Sequence, residues 1–381
     1  MSNNDSRKYK ICTNCVMDTT DPEIVFDNKG VCDHCNNFYN NILPDWNTGE
    51  IGSRKLNSWL NKIKSDTKRQ KYNCIIGLSG GMDSSYLLYM AKEKWGLNPL
   101  VFVVDTGWNL PVSDSNIEKI ISKLDVDVHK VTINHEQMMN LQLAYFKSQV
   151  PYQDIPQDHV IFAALYNFAA ENHYNYILTG GNYSMECVRE PDAWVHCNDL
   201  RQIKDIFKEF GRGSIDKLPT CSMFKYKVYY RYFKGVQNVK LLDYIPYEKE
   251  AVIKVLHDEF GWVPYKNKHY ENRFTRFYEG YWMPKKFGYD KRKCYYSSLI
   301  LTKQMARNEA LGLISEEPYP KEEAMKDMDY ISDQLGVSMD EFMEIMQGTN
   351  KTYTDYKSSK TLIQLAIKVA KLIGIEKRNF R

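Results

Sequence analysis

Four short apolar runs, each followed by a helical pattern or a glycine turn, constrain this chain more than anything else in it. They are NCIIGL at 73–78, PLVFVVDTG at 99–107, VHKVTI at 128–133 and YNYILTGG at 174–181. Between them lie SSYLLYMAKEKW, stopped by Gly96 and Pro99, a stripe of Ile117, Ile120, Ile121 and Leu124 at spacings of three and four, and VIFAALYNFAAENH. Strands alternating with helices imply a parallel sheet covered on both faces, an α/β architecture. Ligands in such sheets bind outside the carboxyl ends of the strands. The first strand there runs into a Gly-rich loop, the second ends at Asp105, and the fourth ends in the pair Gly180-Gly181.

The loop after the first strand reads Ser79-Gly80-Gly81-Met82-Asp83-Ser84-Ser85 and opens a helix. Glycines let the backbone approach a ligand closely, and free N–H groups at a helix start attract anions. Ser79, Ser84 and Ser85 add hydroxyl donors. Asp83 would repel phosphate unless a cation stood between them, which predicts Mg²⁺ held by this carboxylate. The loop departs from the G-x-x-x-x-G-K-S/T pattern, because its lysine is absent.

Four of the nine cysteines fall within the first 35 residues, as Cys12-x2-Cys15 and Cys32-x2-Cys35 with sixteen residues between the pairs. Two such knuckles suit a tetrahedral Zn²⁺ with four thiolates, a closed and therefore structural site. His34 inside the second knuckle is an alternative ligand, and a redox-active pair is the competing reading. Metal binding would supply folding energy to a segment too small to hold a core.

Composition shifts divide the chain into a zinc ribbon at 1–50, a nucleotide-binding domain at 51–245 and a mainly helical region at 246–381. The linker PDWNTGEIGSRK precedes the helical LNSWLNKIKSDTKRQ. The last region contains EKEAVIKVLHDEF, SSLILTKQMARNEAL and TLIQLAIKVAKLIG, and an aromatic-basic stretch from Tyr265 to Tyr296. A net charge of +3 in 381 residues speaks against a dedicated nucleic-acid binder. The N-terminal MSNNDSRKYK lacks an apolar signal core, and no stretch reaches the roughly 18 apolar residues of a membrane span. A cytoplasmic location is expected.

Ser-Gly-Gly-Met-Asp-Ser after a strand resembles the PP-loop of ATP pyrophosphatases, which cleave ATP between the α and β phosphates. That resemblance implies a Rossmann-like sheet of the adenine nucleotide alpha hydrolase type. It implies an ATP site of Ser79, Gly80, Gly81, Asp83, Ser84, Ser85, Asp105, Gly180, Gly181 and Asn182, with Asp83 and Ser79 as the catalytic candidates. Nearly end to end, the chain resembles one branch, the N-acetyl sugar amidotransferases of bacterial surface-polysaccharide (lipopolysaccharide, O-antigen) biosynthesis. CTNCVMDTTDPEIVFDNKGVCDHC, GLSGGMDSSY and HYENRFTRFYEGYWMPKKFGYDKRK followed by SSLI carry the likeness. One departure is KCYYSSLI, where the family pattern has a His near Tyr295 or Tyr296.

The branch implies ATP-dependent conversion of a sugar acetamido group to an acetamidino group on an N-acetylated, UDP-linked sugar, through an adenylated intermediate. Arg273, Arg276, Lys285, Lys286, Lys291 and Arg292 are then candidates for its phosphates. His269, Glu271 and Glu186 are candidate acids or bases. No glutaminase signature surrounds the other five cysteines. The resemblance therefore implies ammonia from a HisH-like glutaminase with a HisF-like ammonia-supplying subunit. The rival within the fold is a tRNA-modifying enzyme, either aminating or thiolating, the latter with Cys187 paired to Cys197 or Cys221.

Overall fold

The computed structural model describes residues 7–195, 199–359, 365 and 368. Five parallel strands form one sheet: β1 Cys74–Gly77, β2 Pro99–Asp105, β3 Val128–Thr132, β4 Tyr176–Leu178 and β5 Gln237–Val239, in the order β3-β2-β1-β4-β5. Cys74 lies opposite Pro99, Ile75 opposite Ile177, Val101 opposite Val128, and Leu178 opposite Val239. The chain first builds outward from β1 to β3, then returns to the other side of β1 with β4. The order therefore reverses beside β1, and the crevice at the carboxyl ends of β1 and β4 is the topological switch point.

Period-two alternation sends neighbouring residues of β1 to opposite faces. Ile76 packs with Val101, Val103, Leu87, Leu88 and Ile120 on one face. Ile75 packs with Phe102, Ile177, Ala163 and Ala169 on the other. Ala163 and Ala169 belong to the helix Ile155–Glu171, which starts with Pro156 at its first turn.

Four strands lie where the apolar runs place them, and the fifth is new. Gln237–Val239 has two polar side chains in three residues, so no apolar run marks it; as an edge strand it needs only one neighbour, β4. Half of the expected 44–55 linker is helical, since the helix Glu50–Asp66 starts directly after Gly49. The stretch SSLILTKQMARNEAL is two helices rather than one. Arg292–Leu301 ends before Lys303, which sits at φ +63, and Arg307–Ser315 begins after the turn. The TLIQLAIKVAKLIG helix lies outside the described residues apart from Leu365 and Lys368.

One hydrophobic cluster joins all three segments of the chain, from the ribbon (Met17, Phe38) through Tyr145 and Phe146 to Phe274, Trp282 and Phe342. The ribbon is held to the helical region by polar contacts as well. Arg307 donates to the carbonyls of Cys12 (2.6 Å) and Cys15 (2.9 Å), and Lys293 pairs with the buried Asp18 at 2.6 Å. No helix among the described residues is long and apolar enough to cross a membrane.

Candidate active site

The amide of Leu78 makes the last ladder bond, to the Phe102 carbonyl at 3.0 Å, and the chain then turns out of the sheet. Gly80 has φ +80, and a Cβ there would lie 2.6 Å from Ser113 Oγ. Only glycine meets both demands. The Gly80 carbonyl accepts from Trp262 Nε1 (3.0 Å) and Tyr265 OH (3.1 Å), so the loop is clamped by residues that follow the sheet. The helix Met82–Tyr89 starts at Gly81 with no side-chain cap, which leaves its first-turn N–H groups open to an anion. Ser79 Oγ lies 3.2 Å from Ser84 Oγ and accepts from the Gly81 amide at 3.2 Å. Ser85 points elsewhere: its hydroxyl is fully buried and has no hydrogen-bond partner.

β4 closes on this loop at the switch point. A Cβ on Gly180 would fall 2.8 Å from the Asp83 carbonyl carbon and 2.9 Å from the Ser84 nitrogen, so the strand end abuts the first helical turn. Asn182 donates to Asp83 Oδ1 at 3.3 Å, and the Tyr247 hydroxyl donates to the same oxygen. Gly181 lies beside Glu186 and Lys240. Asp105 stands at the end of β2, where it pairs with Lys130 at 3.2 Å and accepts from the Gly107 amide at 3.0 Å. Its neighbours Val104 and Thr106 line the cavity.

That cavity, of about 600 Å³, begins at Ser79 and runs under the segment 267–280. At the loop end stands Lys268, with Nζ 3.5 Å from Asp83 Oδ2 and 2.5 Å from Glu186 Oε1. Burial alone would lower Lys268, but the two carboxylates outweigh it and hold the ammonium charged. Burial likewise works against ionisation of Glu186, and Lys268 overcomes it, holding that carboxyl down at about 2. Tyr295 lies with its ring centroid 5.8 Å from Lys268, so the departure from the family pattern falls on the cavity wall.

The far wall is rich in carboxyl groups and tyrosines. Asp154 accepts from Thr275 Oγ1 (2.8 Å), and Asp158 accepts from Tyr152 OH (2.6 Å). Burial raises both carboxyls above the usual range, and at Asp154 the neighbouring Asp158 adds to the rise. Glu279 Oε1 accepts from Lys291 (2.5 Å), Tyr278 OH (3.1 Å) and His269 Nδ1 (3.3 Å). His269 itself sits at φ +64, a conformation L-residues seldom adopt. Burial would lower its pKa, but Glu279 prevails and raises it to about 9. The Glu271 carboxylate, raised by burial, lies against Gly81.

Of the six basic candidates, Lys291 and Arg292 line this cavity. The other four are outside its lining: Arg276 grips Asp327 in a two-pronged bond (2.6 and 2.7 Å), and Arg273 lies over Tyr330, 4.0 Å from the ring centroid. Lys285 pairs with Glu317, and Lys286 donates to the carbonyls of Met346 and Gly348. Sequence reasoning passed over Lys268, Tyr247, Asp154 and Asp158. Lys268 had a signal in its position beside His269, and Asp154 and Asp158 in their four-residue spacing around Pro156 at a helix start. Cys187 and Cys221 are both buried and outside the lining, and burial raises both thiols; Cys197 lies outside the described residues.

The four knuckle cysteines are fully buried and come together. Their sulfurs all lie within 4.8 Å of one another, with Cys12–Cys35 at 3.8 Å and Cys15–Cys32 at 3.6 Å. A tetrahedron of thiolates at about 2.3 Å from zinc has edges of about 3.8 Å, so the set fits the ion. Backbone amides of Asn14, Cys15 and Cys32 donate to Cys12 Sγ, as suits a thiolate. His34 does not join them; its Nε2 lies 2.8 Å from Asp21 Oδ2. The phosphate loop fits an ATP tail through its open amides and glycine-only space, and Asp83 beside it could hold Mg²⁺.

Over 120 residues, 31% of this chain, the sequence is 28% identical to the uncharacterized protein MJ1599 of Methanocaldococcus jannaschii; the match spans 40% of that relative's length. Among solved structures, the chain is similar to NMN synthetase from Francisella tularensis at 15% identity, covering 75% of this chain and 93% of that one, with TM-score 0.30. It is also similar to the U34-tRNA thiolase NcsA from Methanococcus maripaludis, at 14% identity, 87% and 89% coverage and TM-score 0.30. Residues 271–370 match the family model described as LPS biosynthesis protein WbpG-like, C-terminal domain.

Proposed function

We propose that this chain is an ATP-dependent amidotransferase that converts the acetamido group of an N-acetylated, nucleotide-linked sugar to an acetamidino group. The observation that carries the reading is a single cavity with two unlike ends, a phosphate loop at Ser79 and a carboxyl- and tyrosine-lined wall from Asp154 to Tyr296. Carboxylates and tyrosine rings suit the hydroxyls and faces of a sugar.

In this reading the amides of the loop and the hydroxyls of Ser79 and Ser84 bind the β and γ phosphates, and Lys268 faces the developing charge. The acetamido oxygen attacks the α phosphorus and pyrophosphate departs, because an amide oxygen is a poor leaving group until adenylated. Ammonia adds to the activated carbon, one proton is lost from nitrogen, and AMP leaves with the former amide oxygen. Mg²⁺ on Asp83, when bound, would supply charge neutralisation between phosphates and carboxylate. Zn²⁺ in the ribbon has a structural part only. Ammonia comes from a HisH-like glutaminase through a HisF-like subunit.

The test is pyrophosphate release from ATP with Mg²⁺ and ammonium across a panel of UDP-N-acetyl sugars. Sugar-dependent release with equal AMP supports the proposal. Release that requires tRNA and ignores every sugar would move the chain to RNA modification.

A further inference from the structure

Between Asp216 and Asp243 the chain has no acidic residue, while Lys217, Lys225, Lys227, Arg231, Lys234 and Lys240 all fall within it. Its centre is the π-helix Lys225–Phe233 with the sequence KYKVYYRYF. One side of this helix is anchored. Tyr230 is buried against Ala163, Tyr166 and Val236, and its hydroxyl and Lys225 Nζ both donate to Asn167 Oδ1. The other side projects: Phe224 is 67% exposed, Tyr232 60% and Phe233 72%. Phe224 and Phe233 are nine positions apart, about two turns of this wider helix, and so share a face. Lys227 and Arg231, both exposed, flank them at positions four apart. Each lies over a tyrosine ring, Lys227 at 4.8 Å from Tyr226 and Arg231 at 5.4 Å from Tyr232. From the neighbouring helix, the charge of Glu171 acts on the buried Tyr230.

We propose that the helix Lys225–Phe233 is a peripheral docking element for an anionic lipid surface. Side chains this exposed form a knob rather than line a groove, and aromatic knobs ringed by cations are the pattern of a helix lying at a headgroup boundary. Cores of protein–protein interfaces are depleted in lysine, whereas here lysine alternates with the aromatics. A second copy of the chain is disfavoured, because a symmetric contact would set cations against cations. The anchored side packs on the helix Ile155–Glu171, and no residue of 224–233 lines the cavity.

The test is co-sedimentation of the full chain with phosphatidylglycerol–phosphatidylcholine vesicles and with phosphatidylcholine alone. Binding is expected to the anionic vesicles only and to weaken as salt rises. Phe224→Ser with Phe233→Ser, and separately Lys227→Glu with Arg231→Glu, should each reduce partitioning at least tenfold, with melting temperature and soluble-substrate turnover unchanged. The proposal is overturned by no binding to anionic vesicles. It is equally overturned by binding that both double variants retain, or by a patch-dependent dimer in light scattering with no lipid binding.

Discussion

Gly180→Ala isolates the close approach on which the loop depends. The glycine is not in the left-handed region, so alanine meets no backbone objection. Its Cβ would lie 2.8 Å from the Asp83 carbonyl carbon, 2.9 Å from the Ser84 nitrogen and 3.0 Å from the Asp83 oxygen. All three are backbone atoms of one helical turn, and the loop that leads into it is held at the Gly80 carbonyl by Trp262 and Tyr265 and at the Ser79 carbonyl by Ser113. Relief must therefore come from moving β4 or the turn that carries Asp83. Overpacking of this kind costs about 1–3 kcal/mol, which at roughly 2–4 °C per kcal/mol lowers the melting temperature by about 2–12 °C. Pyrophosphate release should fall at least tenfold, with a higher KM for ATP. Gly312→Ala in the helix Arg307–Ser315 is the control. Nothing lies within 4 Å of its Cβ, and it should gain about 1 kcal/mol from helix propensity. A Gly180→Ala protein that melts and turns over like wild type would refute the packing argument.

Asp83→Asn keeps an oxygen for Tyr247 and Asn182 but removes the charge, and should cost at least a hundredfold in pyrophosphate release with little change in melting. Lys268→Met should be similarly inactive, whereas Lys285→Ala, which loses only an exposed pair with Glu317, should stay within twofold. Zinc analysis should find one ion per chain, absent in Cys32→Ser, with a lowered melting temperature in the variant. The His269–Glu279 pair gives a pH signature. His269 is raised from 6.5 to about 9 in the folded chain, so its stabilisation is complete below pH 6.5 and is lost as pH rises through 9. His269→Asn, whose side chain tolerates the positive φ, should thus be destabilised relative to wild type near pH 6, with the gap closing by pH 9. A gap that ignores pH would sink this assignment.

How much of this was legible in the sequence depends on range. The loop, the first four strands and the zinc knuckles are local patterns: each draws its signal from residues within a few positions of one another. β5 was hidden because Gln237 and Asn238 break the apolar run, and its pairing with β4 is a long-range fact. The basic candidates show the same limit. Charge density picked out 273–292 as a unit, yet a helical segment points its side chains in all directions. Lys291 and Arg292 reach the cavity, while Arg276 finds Asp327 fifty-one positions later. Lys268 was missed because its partners, Asp83 and Glu186, are each distant in sequence.

The helix Arg292–Leu301 shows why the ribbon matters to a cavity it does not line. Arg292, Cys294, Tyr295 and Tyr296 face the cavity. From the same helix Lys293 pairs with the buried Asp18, and Ser297 Oγ accepts from the Val16 amide at 3.2 Å. Asp18 and Val16 follow directly on the Cys12–Cys15 knuckle, and Arg307 ties the two knuckle carbonyls to the next helix. Burial alone would push the Asp18 carboxyl up, but Lys293 holds it down, so the pair stays charged inside the protein. A buried pair broken on one side leaves an uncompensated charge, at a cost of about 3–5 kcal/mol. If the thiolate cluster opens, Val16 and Asp18 lose their fixed positions, and the helix bearing Tyr295 loses its outer support. The phosphate loop, clamped separately by Trp262 and Tyr265, keeps its shape in that event. Loss of the metal should therefore act on the tyrosine wall first and on the ATP end last.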